Sequence, residues 1–350
     1  MRDVAQAAGV SQAAISYAYN RPEKLSAAQR ERIFQVADQL GYAGPHSAGR
    51  TLRTGQVGAI GLMITDSLPY AFDDPATSAL LKGISEAGEV AETALTLLPC
   101  PLESDQLAQR SGVLLRGLVD GFLAYAMPEG HPAVETVLRR ELPVVIIDGP
   151  NPGGLAWVGI QDREAARQAA AHLLALGHRS IGILVDRLVP DGYSGPVSPT
   201  RRRQARDRVM KERLAGYAAA FRAAGVPWGS ATIIEAGGFH ESASLSAART
   251  LLGSEPVTAV LAATDVLALA TMSTARDRGL RIPDDLSVVG FDDLPAAAGA
   301  QLTTVHQPLV DKGRRATQLL LEVIEGGQPR EICLPTELVV RETTAQPPPQ

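Results

Sequence analysis

The stretch that decides the fold stands first, residues 1–20, MRDVAQAAGVSQAAISYAYN. Asp3 to Ala8 is alanine-rich and reads as a short helix. Gly9 supplies a turn, because glycine enters the left-handed region without steric cost. Ser11 offers a hydroxyl to cap a second helix, Gln12 to Tyr19. Val4, Ala8, Val10 and Ile15 are the apolar residues expected to hold the two helices together. A second helix placed this way can enter a DNA major groove with its first residues at base edges. An ordinary helical hairpin has the same spacing, so both readings stand at this point.

A third helix follows directly. Ser26 and Gln29 form an S-x-x-Q capping box, with Leu25 ahead of it as a staple. The segment AAQRERIFQVADQLGY then puts Ile33, Val36, Ala37 and Leu40 at helical spacing, and Gly41 closes it. Charge separates this head from the rest. Up to Gly55 there are seven Lys/Arg and four Asp/Glu, a net of +3; the whole chain is −5, which leaves −8 for the remainder. A basic head on an acidic body suits phosphate contact by the head alone.

Four short patterns run through the head: D-V-A-x-x-A-G-V-S from Asp3, I-S-x-x-x-N from Ile15, L-S-x-x-x-R-x-R-I from Leu25, and L-G-Y from Leu40. G-P-H-S-A-G-R-T-L-R-T-G follows from Gly44. Together they resemble the head and hinge of the LacI/GalR transcriptional regulators, and the resemblance extends over essentially the whole chain. It implies a homodimer on a pseudo-palindromic operator, with DNA contacts from Ser11, Gln12, Ala13, Ser16, Tyr17, Asn20, Arg50, Leu52 and Arg53. It also implies a hinge that folds as a helix only when two copies meet over the minor groove, with Leu52 wedged into a base step. A passive tether is the other reading of that linker, since Gly49 and Gly55 flank it. Tyr17 stands where the family often carries arginine, and only Met1 and Arg2 precede Asp3.

A chain of 350 residues is long for one domain and comfortable for a small head on a two-lobed body. Hydrophobic residues make up 45%, and no apolar run reaches membrane-spanning length, which excludes a helical membrane protein. The amino terminus opens into an amphipathic helix rather than a signal peptide, so a cytoplasmic protein is expected. Cys100 and Cys333 are isolated, which argues against a disulfide framework or a thiolate metal site. The tail AQPPPQ is expected to be disordered.

From Val57 the texture changes to apolar runs alternating with amphipathic segments. VGAIGLMI, TALTLLP, GFLAYA, PVVIID and AWVGI read as buried strands. RSIGILV, ATIIEA, TAVLAAT and LSVVGF repeat the pattern after a helix at Asp162–Leu176. Short β-branched runs separated by helices predict parallel sheets, and nine are too many for one small lobe. The expected fold is α/β: a three-helix helix-turn-helix head over residues 1–45, a hinge over 46–56, and a body over 57–345 with two doubly wound lobes. The resemblance implies that this body is periplasmic-binding-protein-like. Its first lobe is expected over about 57–160 and 305–332, its second over about 161–303 and 333–345, with a tail over 346–350. Three crossings would join the lobes, near 159–162, 293–304 and 326–335.

In such open sheets ligands sit beyond the carboxyl ends of the strands. Asp148 ends PVVIID, Asp265 follows TAVLAAT, and Asp292 ends SVVGFD. Arg213 lies on the amphipathic run KERLAGYAAAF. Carboxylates facing a guanidinium across a cleft can bind vicinal hydroxyls or a heterocycle. Helix capping is the competing reading, strongest for Asp265, which precedes VLALAT. The family's effector contacts map onto Asp148, Arg213 and Asp292. Tyr70 and Phe72 either stack on the ligand or line the lobe interface. The segment from Asp186 to Arg213 carries Arg201, Arg202, Arg203, Arg206 and Arg208; a solvated loop, or a lid over the cleft, is preferred to a second nucleic-acid patch.

No catalytic set emerges. Gly55, Gly58 and Gly61 precede or lie within a strand, so a dinucleotide loop fails. His240-Glu241 lacks a second histidine, His172 and His178 read as structural, and no serine sits in a G-x-S-x-G elbow. No cofactor and no metal are expected. A ligand-controlled DNA-binding regulator, its effector a small polar metabolite such as a sugar, is favoured over a transport solute-binding protein or an α/β enzyme. The second does not explain the basic head, and the third lacks a nucleophile.

Overall fold

The computed structural model describes residues 1–42, 44, 57–65, 68–100, 119–151, 153–238 and 240–349, without the side chains of Asn20 and Tyr70. The hinge expected over 46–56, with Arg50, Leu52 and Arg53, lies outside the described residues. The chain divides into two compact units, Met1–Gly58 and Ala59–Gln350.

In the first unit, α1 (Arg2–Ala8) ends at Gly9, whose φ of 64° is the left-handed turn the sequence calls for. Helix α2 (Gln12–Asn20) starts at Ser11, whose Oγ accepts from the Ala14 amide at 3.1 Å. Helix α3 (Ala27–Gln39) starts at Ser26, which accepts from the Gln29 amide at 3.2 Å. Val4, Ala5, Ala8, Ala14, Ile15, Ala18, Ile33 and Ala37 form the buried core, with Val10 and Val36 at its margin. Leu40 does not join them: α3 stops at Gln39, the helical register is lost, and Leu40 is 52% exposed. Tyr19 packs there instead, edge-on to Phe34 and Tyr42.

The second unit holds two sheets. β1 (Ala59–Thr65), β2 (Ala94–Cys100), β3 (Gly121–Tyr125), β4 (Val144–Ile147), β5 (Ala156–Ile160) and β12 (Glu331–Leu334) form a parallel sheet in the order β12-β5-β4-β3-β1-β2. β6 (Ile181–Val185), β7 (Gly195–Pro196), β8 (Thr232–Glu235), β9 (Ala259–Ala262), β10 (Ser287–Asp292), β11 (Thr303–His306) and β13 (Glu337–Val339) form the other, ordered β13-β11-β10-β9-β6-β8-β7. Among the described residues, only the edge strands β13 and β7 run antiparallel. The nine expected strands are all present, and their central members are buried along their whole length, as strands covered by helices on both faces must be.

The first lobe carries α4 (Leu68–Asp73), α5 (Pro75–Val90) and α6 (Pro132–Leu138). On the second lie α7 (Asp162–Leu176), α8 (Pro199–Arg203), α9 (Arg208–Ala223), α10 (Glu241–Gly253), α11 (Asp265–Asp277) and α12 (Pro295–Gly299). Helix α13 (Leu309–Ile324) returns to the first lobe, against α5, β3, β4 and β5. The chain therefore crosses at 160–162, 307–308 and 335–336. The middle crossing falls after β11 rather than within 293–304, because β11 still pairs with β10 through Val289↔Thr303 to Asp292↔His306.

Each lobe packs one helix pair through a glycine. A Cβ on Gly83 of α5 would stand 1.8 Å from the Val310 carbonyl oxygen, and one on Gly216 of α9 would stand 2.1 Å from that of Arg163. The tail also departs from expectation. His178 Nε2 lies 2.9 Å from the Ala345 carbonyl, and the Ala345 amide donates to Ser287 Oγ at 3.0 Å. His172 Nε2 holds Thr344 Oγ1 at 2.9 Å, and Pro347 lies beside Gly177. The two histidines are structural ties that hold the tail to the second lobe through Pro347.

Candidate functional sites: a helix-turn-helix surface and an interlobe cleft

On the head, the first turn of α2 presents Gln12 and Ala13 exposed. Ser11, also exposed, spends its oxygen on the helix cap. Ser16 and Tyr17 are half-buried one turn on. Lys24 Nζ stands 5.3 Å from the Tyr17 ring centroid, so the position without arginine still has a cation beside it. The Asn20 side chain lies outside the described residues. A helix-turn-helix of this geometry offers amide and methyl groups to base edges and a cation to the backbone.

In the body, strand ends of both sheets converge. A cleft of about 640 Å³, counting its open mouth, is lined by residues that include Tyr125 from β3, Asp148 after β4, Asp186 after β6, Thr264 after β9, and Asp292 ending β10. Gln307, in the middle crossing, and Arg213 of α9 complete the wall. This is the carboxyl-end crevice expected of doubly wound sheets. Asp148 (φ 57°) and Asp292 (φ 121°) both adopt left-handed backbone conformations, which non-glycine residues enter at a cost. Such conformations concentrate where side chains must be aimed into a site.

Arg213, 3% exposed, reaches Asp162 Oδ1 through Nε at 3.1 Å and donates through Nη1 to the Ala263 carbonyl. The same nitrogen stands 3.7 Å from Asp292 Oδ1, and the guanidinium stacks 3.4 Å above the Phe291 ring centroid. Burial alone would lower the Arg213 pKa, but the Asp162 and Asp292 carboxylates outweigh it and hold the proton. Asp292 is pushed well above the usual carboxylate range, by burial first, although Arg213 pulls the other way.

A second buried cation sits behind the wall. Lys312 of α13, 0% exposed, donates to Asp148 Oδ2 and to Gln307 Oε1, each at 2.6 Å. Gln307 in turn donates to Asp292 Oδ1 at 2.5 Å. A continuous hydrogen-bonded line thus joins Asp148 of the first lobe to Asp292 of the second. Three carboxylate oxygens on the cleft wall remain without a partner: Asp148 Oδ1, Asp186 Oδ2 and Asp292 Oδ2. Buried acceptors are normally satisfied, so each of these oxygens has the capacity to accept a further hydrogen bond.

Two expected residues do not belong here. Asp265 is buried, but Oδ2 accepts from the Leu294 amide at 2.8 Å and Oδ1 from Thr304 Oγ1 at 2.5 Å. It ties α11 to α12 and β11, and the cap of α11 is Thr264. Phe72 points to solvent, 59% exposed, because it lies on the outer side of the short α4. The backbone of Tyr70 lies in α4; its side chain is outside the described residues. The sequence reading missed Tyr125, Asp186, Asp207, Gln307 and Lys312. Asp186 carries the same signal as Asp148, an aspartate ending an apolar strand, and could have been found.

The segment before α9 is not a loose loop. β7 extends the second sheet beside β8, and Ser198 caps α8 through the Arg201 amide at 3.1 Å. Arg201 bridges Asp191 and the fully buried Glu235 and stacks 4.2 Å from the Tyr193 ring centroid. Its main chain does border the cleft: the Glu129 amide donates to the Arg206 carbonyl at 3.1 Å, and Asp207 lines the wall.

A helix-turn-helix head followed by a two-lobed, cleft-bearing body defines a ligand-responsive DNA-binding regulator. Residues 1–44 match the bacterial regulatory proteins of the lacI family, and residues 170–344 match the periplasmic binding protein-like domain. An HTH-type transcriptional regulator of Mycobacterium tuberculosis is 40% identical over 341 residues, covering 97% of this chain and 94% of the relative. A LacI-family transcriptional regulator from Corynebacterium glutamicum, solved by crystallography, aligns with a TM-score of 0.76 at 33% identity, covering 99% of this chain and 98% of that one. The transcriptional regulator CelR in complex with cellobiose aligns at 0.69 and 26% identity, covering 97% and 98%. The chain belongs to the LacI family of bacterial transcriptional regulators. These relatives regulate transcription and are not enzymes, and among the described residues no helix is long and apolar enough to cross a membrane.

Proposed function

We propose that the chain is a cytoplasmic, homodimeric repressor whose operator affinity is set by a small polar metabolite, such as a sugar, held between the lobes by Asp148, Arg213 and Asp292. One observation carries the reading of the cleft: residues at the strand ends of both sheets meet on one wall with unpartnered carboxylate oxygens. A ligand that bridges them favours whichever lobe arrangement it binds better, and so shifts the population that can hold DNA. The cellobiose bound to CelR supports a hydroxyl-rich ligand. Gel shifts against the protein's own upstream DNA, with and without a panel of sugars, test it. Operator affinity unmoved by every ligand that binds the body would sink the reading.

Base reading is assigned to Ser11, Gln12, Ala13, Ser16, Tyr17 and Asn20. Gln12 can pair bidentately with adenine, and Ala13 offers a methyl contact to thymine. Gln12→Ala should cost about 1–3 kcal/mol on the preferred site and relax one base position. Equal loss on every DNA tested would make Gln12 a backbone contact instead.

The hinge over 46–56 is assigned to the minor groove, with Leu52 as wedge between Arg50 and Arg53. A helix this short does not persist alone in water, so its folding depends on two heads meeting on DNA. Leu52→Ala should lower specific affinity and reduce DNA bending while ligand binding by the body persists. Unchanged bending and affinity would leave only a tether.

A further inference from the structure

We propose that the cleft takes an amine-bearing polyol, with the ligand's ammonium seated against Asp186 at the end of β6. This rests on reading the cleft as the effector site. Five carboxyl groups line it, those of Asp74, Asp148, Asp186, Asp207 and Asp292, against one cation, Arg213. Four of the five are accounted for. Asp148 is paired with Lys312 and Asp292 with Gln307 and Arg213. Asp74 caps α5 through the Thr77 amide at 3.0 Å, and Asp207 caps α9 through the Met210 amide at 3.0 Å.

Asp186 has no such arrangement. It is 1% exposed, its Oδ2 has no partner, and its Oδ1 accepts only a long bond of 3.4 Å from Thr264. Among the described residues no cation comes within ion-pair distance of it. Arg213 and Tyr217 face it from α9, Asp207 from the cap of that helix, Asp74 from the start of α5, and Arg187 follows it in the chain. Burial lifts its carboxyl to about 8; Asp74 and Asp207 add to the rise, and Arg213 and Arg187 only partly oppose it.

An anionic ligand would meet these acids with its own charge unpaired, since Arg213 is already engaged by Asp162 and Asp292. A cation fits. An ammonium beside Asp186 ionises it and forms a charge-assisted hydrogen bond in a site of low dielectric. The carboxyl proton leaves to solvent, and no other bond is made or broken. Hydroxyls on the same ligand then have Asp148 Oδ1 and Asp292 Oδ2 as acceptors. The set does not suit a metal: among the described residues no three His, Cys, Asp or Glu side chains are placed to hold one.

The test is isothermal titration of the full chain at pH 7 with D-glucosamine, D-galactosamine, D-mannosamine and D-glucamine. Each is paired with its neutral parent, glucose, galactose, mannose or sorbitol, in buffers of different ionisation enthalpy. At least one amine should bind about tenfold or more tightly than its parent, with release of about one proton. Asp186→Asn should erase that preference and the proton release. The proton count on the unaltered chain stands as evidence even if the variant folds poorly. A panel in which no amine binds more tightly than its parent, a panel in which no amine binds, or a preference that survives in Asp186→Asn overturns the proposal. Operator binding is scored in parallel. Neutral polyols that bind and alter operator affinity uphold the cleft as effector site and overturn the amine. Amines that bind without touching operator affinity uphold the amine and overturn the effector reading.

Discussion

Arg213→Ala is expected to destabilise the body by about 3–5 kcal/mol, read as a shift in the urea midpoint of the full chain. The guanidinium is the shared partner of two buried acids, Asp162 and Asp292, and also satisfies the Ala263 carbonyl. Removing it leaves Asp292 without a cation at ion-pair distance among the described residues and Asp162 with only Arg208, 3.7 Å from Oδ2, so protonation becomes their main relief. Asp162 and Asp292 are already raised by burial, with Arg213 the main opposing influence. Losing Arg213 raises both further, so the damage should be greater at pH 8 than at pH 5, where protonation relieves the uncompensated charge. Arg213→Ala combined with Asp162→Asn should recover part of the loss, a coupling a double-mutant cycle will measure. A loss below about 1 kcal/mol, or one independent of pH, would mean the network carries little stability.

Gly83→Ala is expected to cost about 3 kcal/mol although it adds a single methyl group. The clash falls on backbone: the new Cβ would stand 1.8 Å from the Val310 carbonyl oxygen and 3.0 Å from the Arg314 amide nitrogen. No rotamer change relieves that, so α5 and α13 must separate and lift the helical cover from β2 and β3. Gly313 faces the same seam from the other side, where a Cβ would meet the Leu80 carbonyl oxygen at 2.2 Å. Thermal unfolding of Gly83→Ala beside Gly299→Ala isolates packing from chain entropy, since Gly299 is also helical and has open space around its missing Cβ. Equal effects at the two positions would refute a packing origin. Separation of α5 from α13 would also displace Lys312, which holds Asp148, so the cleft should weaken with the seam.

Local chemistry made much of the molecule legible from its residues. Ser11 and Ser26 cap the helices they precede, and Gly9 makes the turn between the first two. The nine apolar runs become nine strands because a strand buried on both faces has no polar alternative. Leu40 falls one residue past the end of α3 rather than in its apolar face, because periodicity does not say where a helix stops. The second lobe's return point was also misplaced, because β11 is short and polar in sequence and is recruited only by its pairing with β10.

The cleft shows where that legibility ends. An aspartate after an apolar strand marks a carboxyl-end position, so Asp148 and Asp292 could be picked from the sequence alone. The same rule picked Asp265 wrongly, since whether such a residue faces a cleft or ties two elements depends on what stands opposite. For Asp265 that is Thr304 and the Leu294 amide, 39 and 29 residues away. Lys312 and Gln307 could not be read at all: a lysine in a helix is ordinarily a surface residue, and only folding puts its ammonium 2.6 Å from an aspartate 164 positions earlier. The sequence by itself determined the head and the two-sheet architecture, which rest on spacing, capping and apolar pattern, and the family, which rests on the resemblance of its head and hinge motifs. Only the tertiary structure decided which charges meet, because burial and pairing of ionised groups depend on distances between segments that local pattern does not encode.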